Sequence, residues 1–188
     1  METTKNALSP YEEDFFYKLK NYINKPIYFY GSIQRSDYFP QMSDIDIDIF
    51  SDNEFSTMHM LQNYLNISKK AFKKNIYKIN TINNSNTSNN RKQEFKLVPG
   101  YKTKYVDKTN KLNIEISIYN EKYKDDILCE HQSKFFMPFY ITTLLILLKF
   151  FHYTLGILPI YYYSKYKKLL TNYLYDNNKS EFVILDLS

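Results

Sequence analysis

Two segments of the chain alternate apolar and polar residues with period two, the pattern of a strand with one dry face and one wet face. The first reads Asp44-Ile45-Asp46-Ile47-Asp48-Ile49-Phe50, the second Asn113-Ile114-Glu115-Ile116-Ser117-Ile118. In the first, Asp44, Asp46 and Asp48 share one face, and Ile45, Ile47 and Ile49 share the other. The isoleucine face requires a core. The aspartate face gathers negative charge that costs energy unless a cation compensates it, most simply a divalent metal.

Around these two segments the pattern supplies the remaining elements. Ser9-Pro10-Tyr11-Glu12 is a capping box with proline at the first helical position, opening a helix to about Asn24. Residues 26–30 read as a strand, 33–43 as a connection and 44–50 as the acidic strand. Ser51-Asp52-Asn53 starts a helix expected to run to about Lys74, and a strand is expected from Tyr77 to Ile82. The polar run 83–90 has nothing to bury and reads as a flexible loop. Residues 94–105 and 111–119 read as strands joined by a turn at Asp107-Lys108-Thr109-Asn110.

From Lys122 onward the pattern is helical, and 135–163 is intensely apolar and long enough to span a bilayer. Lys149 near its centre would cost about 2.5–3.5 kcal/mol on insertion scales, and Pro138, Gly156 and Pro159 interrupt it. A helix buried against the sheet explains the segment better, so no membrane is expected among the partners.

At 188 residues the chain is one ordinary domain, long enough to bury a real core. Lys and Arg number 25 against 20 Asp and Glu, a net charge of +5 with a pI near 9.0. That balance suits a polyanionic partner, although abundant Lys, Asn, Ile and Tyr also match AT-rich coding. Arg35 and Arg91 are the two arginines, and Arg35 lies in the loop before the acidic strand. The single cysteine, Cys129, excludes an intramolecular disulfide or a cysteine metal cluster and fits a reducing compartment. Met1-Glu2-Thr3-Thr4-Lys5 lacks the apolar stretch of a signal peptide, so a cytoplasmic location is expected.

Upstream of the aspartates, Tyr28-Phe29-Tyr30 runs into Gly31-Ser32. Glycine lets the backbone approach a phosphate closely, and serine can donate both its hydroxyl and its N–H. Carboxylates two apart on a strand lie about 6.6 Å apart, near enough to share a metal pair, whereas Asp48 is about 13 Å from Asp44 and reads as a flank. An EF-hand loop is rejected, because Ile49 and Phe55 stand where glycine and glutamate are needed. A phosphatase-type Asp-x-Asp would follow an apolar strand, whereas 39–43 looks like a turn. A glycosyltransferase Asp-x-Asp and a merely solvated strand face stay open.

Tyr30-Gly31-Ser32 followed by Ser43-Asp44-Ile45-Asp46-Ile47 resembles the signature of the DNA polymerase beta-like nucleotidyltransferase superfamily. The likeness is nearest to poly(A) polymerase and terminal uridylyltransferase relatives and to minimal antitoxin-type members. It implies an α+β fold, a small mixed sheet flanked by helices with a C-terminal helical segment. Residues 1–121 would form the catalytic core and 122–188 the helical segment. It further implies transfer of a nucleoside monophosphate from a nucleoside triphosphate, ATP among them, to an acceptor hydroxyl with release of pyrophosphate, using two Mg²⁺ or Mn²⁺ ions.

By that resemblance Asp44 and Asp46 hold both metals, and Glu115 completes the one on the acceptor side. Gly31 and Ser32 cradle the triphosphate, and Lys149 neutralises its charge. Tyr166 falls where relatives carry a Ser-Ser-Tyr segment that touches phosphate and base, although here Lys165 replaces a serine. Arg35 is either a phosphate contact or a surface residue. The favoured acceptor is an RNA 3′ end. A protein or small-molecule acceptor, and a non-catalytic nucleotide- or nucleic-acid-binding protein, are the alternatives. Lys69-Lys70 with Lys73-Lys74 could grip phosphates, or form a solvated helix face.

Overall fold

The computed structural model describes residues 1–81, 94–175 and 182–185. Its elements run α1 (Pro10–Ile23), β1 (Tyr28–Tyr30), β2 (Ile45–Ser51), α2 (Glu54–Leu65), β3 (Lys73–Thr81), β4 (Glu94–Asp107), β5 (Leu112–Asn120), α3 (Lys124–Ser133), α4 (Phe139–Lys149), α5 (Ile160–Tyr175) and β6 (Phe182–Leu185). The six strands form one sheet in the order β1-β2-β5-β4-β3-β6, with β2 and β5 parallel and every other pair antiparallel. The architecture is α+β, as the pattern implied.

The isoleucine face is the main core. Ile45, Ile47 and Ile49 of β2 and Ile114, Ile116 and Ile118 of β5 pack with Phe15, Phe16 and Leu19 of α1 and Leu61 and Leu65 of α2. Each such side chain contributes about 1.5–3 kcal/mol on burial. Helix α1 begins with the capping box: Ser9 Oγ accepts from Glu12 N–H, and Glu12 Oε2 accepts from Ser9 N–H. The opposite face is divided. One end is a second, aromatic core of Tyr28, Phe50, Tyr77, Val98 and Tyr119 with Ile127 of α3. The other end carries the carboxylates.

Three expectations are corrected. The helix from Ser51 stops at Leu65, because Asn66 turns left-handed (φ 52°) and a short turn at Lys69–Ala71 leads into β3. Lys73 and Lys74 therefore lie on a strand, not on a helix face. The segment 135–163 is not one buried helix: a π turn at Phe150–Thr154 separates α4 from α5. Only Ile141, Leu145 and Lys149 of α4 are buried, while Phe139, Leu144, Leu147, Phe150 and Phe151 are exposed. Among the described residues no helix is long and apolar enough to cross a membrane. Strand β6 had no signal in the pattern, and the loop expected at 83–90 lies outside the described residues.

Candidate active site

Register places the acidic residues. Across β1, β2, β5 and β4, Tyr30, Asp46, Glu115 and Lys104 form one row, and Tyr28, Asp48, Ser117 and Lys102 form the next. Neighbouring strands lie about 4.8 Å apart, so Asp46 and Glu115 are side by side on one face. Asp44 sits one residue before β2, and its Oδ1 accepts a hydrogen bond from Asn113 Nδ2. Two lysines of β4 close the cluster. Lys102 pairs with Glu115, and Lys104 reaches both Asp44 and Glu115 at 3.4 Å.

The crowding is visible in the protonation equilibria. Burial, then the charge of Glu115, pushes the Asp46 carboxyl up from 3.8 to about 7, against the opposing pull of Lys167 and Lys102. Burial alone would lower the Lys104 ammonium, but Glu115 and Asp44 outweigh it and hold the group above its usual value. This site requires compensating cations.

Gly31 brings the preceding loop onto the cluster. Its φ is +71°, and a Cβ added there would collide with Asp46 Oδ2. Both the left-handed backbone and the close approach favour glycine at this point. Ser32, buried in the 3₁₀ turn Gly31–Gln34, follows directly. The loop then runs to Arg35, whose guanidinium grips Asp37 through Nε to Oδ1 at 2.8 Å and Nη2 to Oδ2 at 3.2 Å.

Lys149 enters this loop from α4. Its side chain is 2% exposed, and its Nζ donates to the Asp37 carbonyl oxygen, to Asp37 Oδ2 at 3.0 Å and to Ser43 Oγ at 3.4 Å. Burial pulls the ammonium down, partly offset by Asp37. At Asp37 burial acts upward, but Arg35 and then Lys149 prevail and hold the carboxyl below its usual value. Two cations therefore share one carboxylate, leaving net positive charge beside Ser43 and Asp44.

Asp48, expected as a flank of the metal pair, is fully buried. His131 of α3 meets it through Nε2 to Oδ2 at 2.8 Å, and Tyr30 stacks on the imidazole at 4.1 Å between centroids. Burial raises the Asp48 carboxyl, with His131 opposing. This pair joins the aromatic core to the carboxylate end of the face. On the far side, α5 brings Lys167 close enough to act on both Asp46 and Lys149. Tyr166 is 46% exposed on the same helix.

Asp44, Asp46, Glu115, Gly31 and Ser32 are thus gathered, with Arg35 and Lys149 behind the loop and Tyr166 on the overlying helix. Sequence reasoning missed Lys102, Lys104, Asn113, His131 and Lys167. The alternation of Lys102 and Lys104 on β4, facing a glutamate strand, was the available signal for two of them.

The donor set is all oxygen, the chemistry preferred by Mg²⁺ and Mn²⁺. Among the described residues no three His, Cys, Asp or Glu side chains stand close enough together to hold a metal ion as they are placed; the carboxylates turn instead to lysine ammonium groups. The fold thus sets a Gly-Ser turn against an Asp-x-Asp strand, with a glutamate on the parallel neighbour. The model of the nucleotidyltransferase domain family matches residues 14–131, and the chain belongs to that family. No curated protein and no solved structure matches it.

Proposed function

We propose that this nucleotidyltransferase is metal-dependent and adds a nucleoside monophosphate to an RNA 3′ end. The acceptor hydroxyl oxygen bonds to the α-phosphorus as the bond from that phosphorus to the pyrophosphate oxygen breaks. Pyrophosphate leaves, and the hydroxyl proton passes by way of a site carboxylate to water. The observation that carries the reading is the row that sets Asp46 beside Glu115, with Gly31 held against Asp46.

Asp44, Asp46 and Glu115 would hold Mg²⁺ or Mn²⁺, and Lys102 and Lys104 would give up their carboxylates to it. Bound there, the ions supply charge stabilisation for the attacking and leaving oxygens. Gly31 and Ser32 receive the triphosphate, aided by the positive excess of the Arg35, Asp37 and Lys149 cluster and by Lys167 above. Tyr166, exposed on α5, is available to stack on the base. The wealth of lysine on the acceptor side of Glu115 favours RNA over an uncharged acceptor.

Incubation with each α-labelled nucleoside triphosphate, Mg²⁺ or Mn²⁺, and a mixed pool of RNA and protein identifies the acceptor. Label on RNA, lengthening it at its 3′ end, is the expected result. Label on protein or on a small molecule would replace RNA as the acceptor while keeping the chemistry. No label on any component would contradict catalysis.

A further inference from the structure

The Gly31–Gln34 turn is laced to residues 1–6, a segment that lies ahead of the matched residues 14–131. Phe29 N–H of β1 donates to the Met1 carbonyl at 2.9 Å, which lays the segment along the outer edge of that strand. Asn6 then meets the turn. Its N–H donates to the Ile33 carbonyl at 3.2 Å, and its Nδ2 donates to the carbonyls of Ile33 at 2.8 Å and Arg35 at 2.7 Å.

Gln34, itself only 8% exposed, completes the lacing from inside the turn. Its Oε1 accepts from Lys5 N–H at 3.0 Å, and its Nε2 donates to the carbonyls of Thr3 at 2.7 Å and Phe29 at 3.2 Å. The two carboxamides thereby spend all their N–H donors on backbone carbonyls. Three of those carbonyls, on Phe29, Ile33 and Arg35, bracket Gly31 and Ser32. Peptide groups are planar, so fixing a carbonyl also fixes the N–H of the next residue.

A four-residue 3₁₀ turn opened by glycine is soft on its own. Its internal hydrogen bonds have poor geometry, and glycine has the most backbone freedom to lose. Gly31 must nevertheless keep its place against Asp46 Oδ2, with Ser32 directly behind it. Displacement at phosphorus tolerates little error, since a misplacement of about 1 Å can cost about a hundredfold in rate.

We propose that Asn6 and Gln34 are positioning residues, which use the strap of residues 1–6 to hold the Gly31–Ser32 turn in the geometry that receives the triphosphate. Neither touches the substrate. The proposal rests on the nucleotidyl-transfer reading, and it gives a segment outside the matched domain a part in that reaction.

The test separates the turn from the rest of the fold. Wild type, Asn6→Ala and Asn6→Asp are compared by amide hydrogen exchange without nucleotide and by calorimetric titration in Mg²⁺. Asn6→Asp keeps the shape of the side chain but offers oxygen, in place of N–H, to the two carbonyls. The titrants are the α,β-methylene nucleoside triphosphate that wild type binds most tightly of the common four, and the matching monophosphate. In both variants exchange over residues 31–36 is expected to quicken about tenfold, with α2 and β5 unchanged. Triphosphate affinity should fall about tenfold, while monophosphate affinity stays at the wild-type value.

Wild-type exchange over the turn in both variants would overturn the proposal, since the strap would then not hold it. Unchanged triphosphate affinity would overturn it as well. So would equal weakening of both nucleotides, because the loss would then be general and not one of phosphate geometry. Wild-type protein that binds none of the four triphosphates would strike the transferase reading and this proposal with it, and that result comes from wild type alone. Gln34→Glu, which keeps the bond from Lys5 N–H but gives up both donated bonds, is read by the same criteria where the Asn6 variants do not fold.

Discussion

The two faces of the β2–β5 pair are made by the same two strands, yet they are built for opposite ends. On one face six isoleucines close against α1 and α2, and every one is at most 1% exposed. On the other, Asp46 and Glu115 stand side by side with lysines drawn in to compensate them. The first face lowers the energy of the fold. The second raises it locally, which a Gly-Ser turn, a buried cation cluster and an overlying helix then hold in place. The contrast teaches that period-two alternation can serve stability and chemistry in one strand, with each side chain assigned by its parity.

Substitutions one residue apart break the comparison most sharply. Asp46→Asn should reduce nucleotide transfer about a thousandfold or more, a barrier increase of about 4 kcal/mol. It should not lower the metal-free melting temperature, since it removes a crowded carboxylate. Ile47→Ala, pointing the other way, should cost about 2–5 kcal/mol of stability in a denaturant melt. Transfer per folded molecule should then remain close to wild type. A large stability loss in Asp46→Asn would contradict the division of the faces.

Lys149 sharpens the comparison, because a charge is buried behind the acidic face. Lys149→Met keeps the length but leaves Asp37 with Arg35 alone. Breaking a buried pair costs about 3–5 kcal/mol when nothing replaces it, so with Arg35 retained about 1–3 kcal/mol is expected. Nucleotide affinity should fall with it as the Arg35–Ser43 loop loses its anchor. Chemical denaturation and nucleotide titration on the same samples check both parts.

The acidic face also carries a pH dependence. The folded Asp46 carboxyl lies near 7 against 3.8 in the unfolded chain. The folded state therefore holds the proton more tightly. Asp46's contribution to stability is complete below about 4 and is lost as pH rises through about 7. Melting curves of wild type minus Asp46→Asn isolate it, and the difference should decline across that window. Metal competes with the proton, so the Mg²⁺-induced rise in melting temperature should grow over the same window and vanish in Asp46→Asn.

What was legible follows from the same physics. The alternation in β2 and β5 set both faces, and the capping box set the start of α1, because these signals are local. The parallel register that puts Asp46 beside Glu115 is a long-range pairing, and only the resemblance anticipated their meeting. The Asp48–His131 pair, the Lys149–Asp37 pair and the Lys102–Glu115 pair join residues distant in the chain or on separate strands, so no local pattern announces them. The run from Phe135 misled in part, because apolar composition alone does not say which face a helix buries.

The central claim is that Asp44, Asp46 and Glu115 form a nucleotidyl-transfer site. The most direct measurement follows the fate of two labels, one on the α-phosphate and one on the γ-phosphate of the same nucleoside triphosphate, in wild type and Asp46→Asn with Mn²⁺ or chelator. The account predicts that α-label becomes covalently attached to an acceptor and γ-label leaves as pyrophosphate, only in wild type and only with metal. Attachment of γ-label, or equal α-label transfer by Asp46→Asn or in chelator, would contradict it.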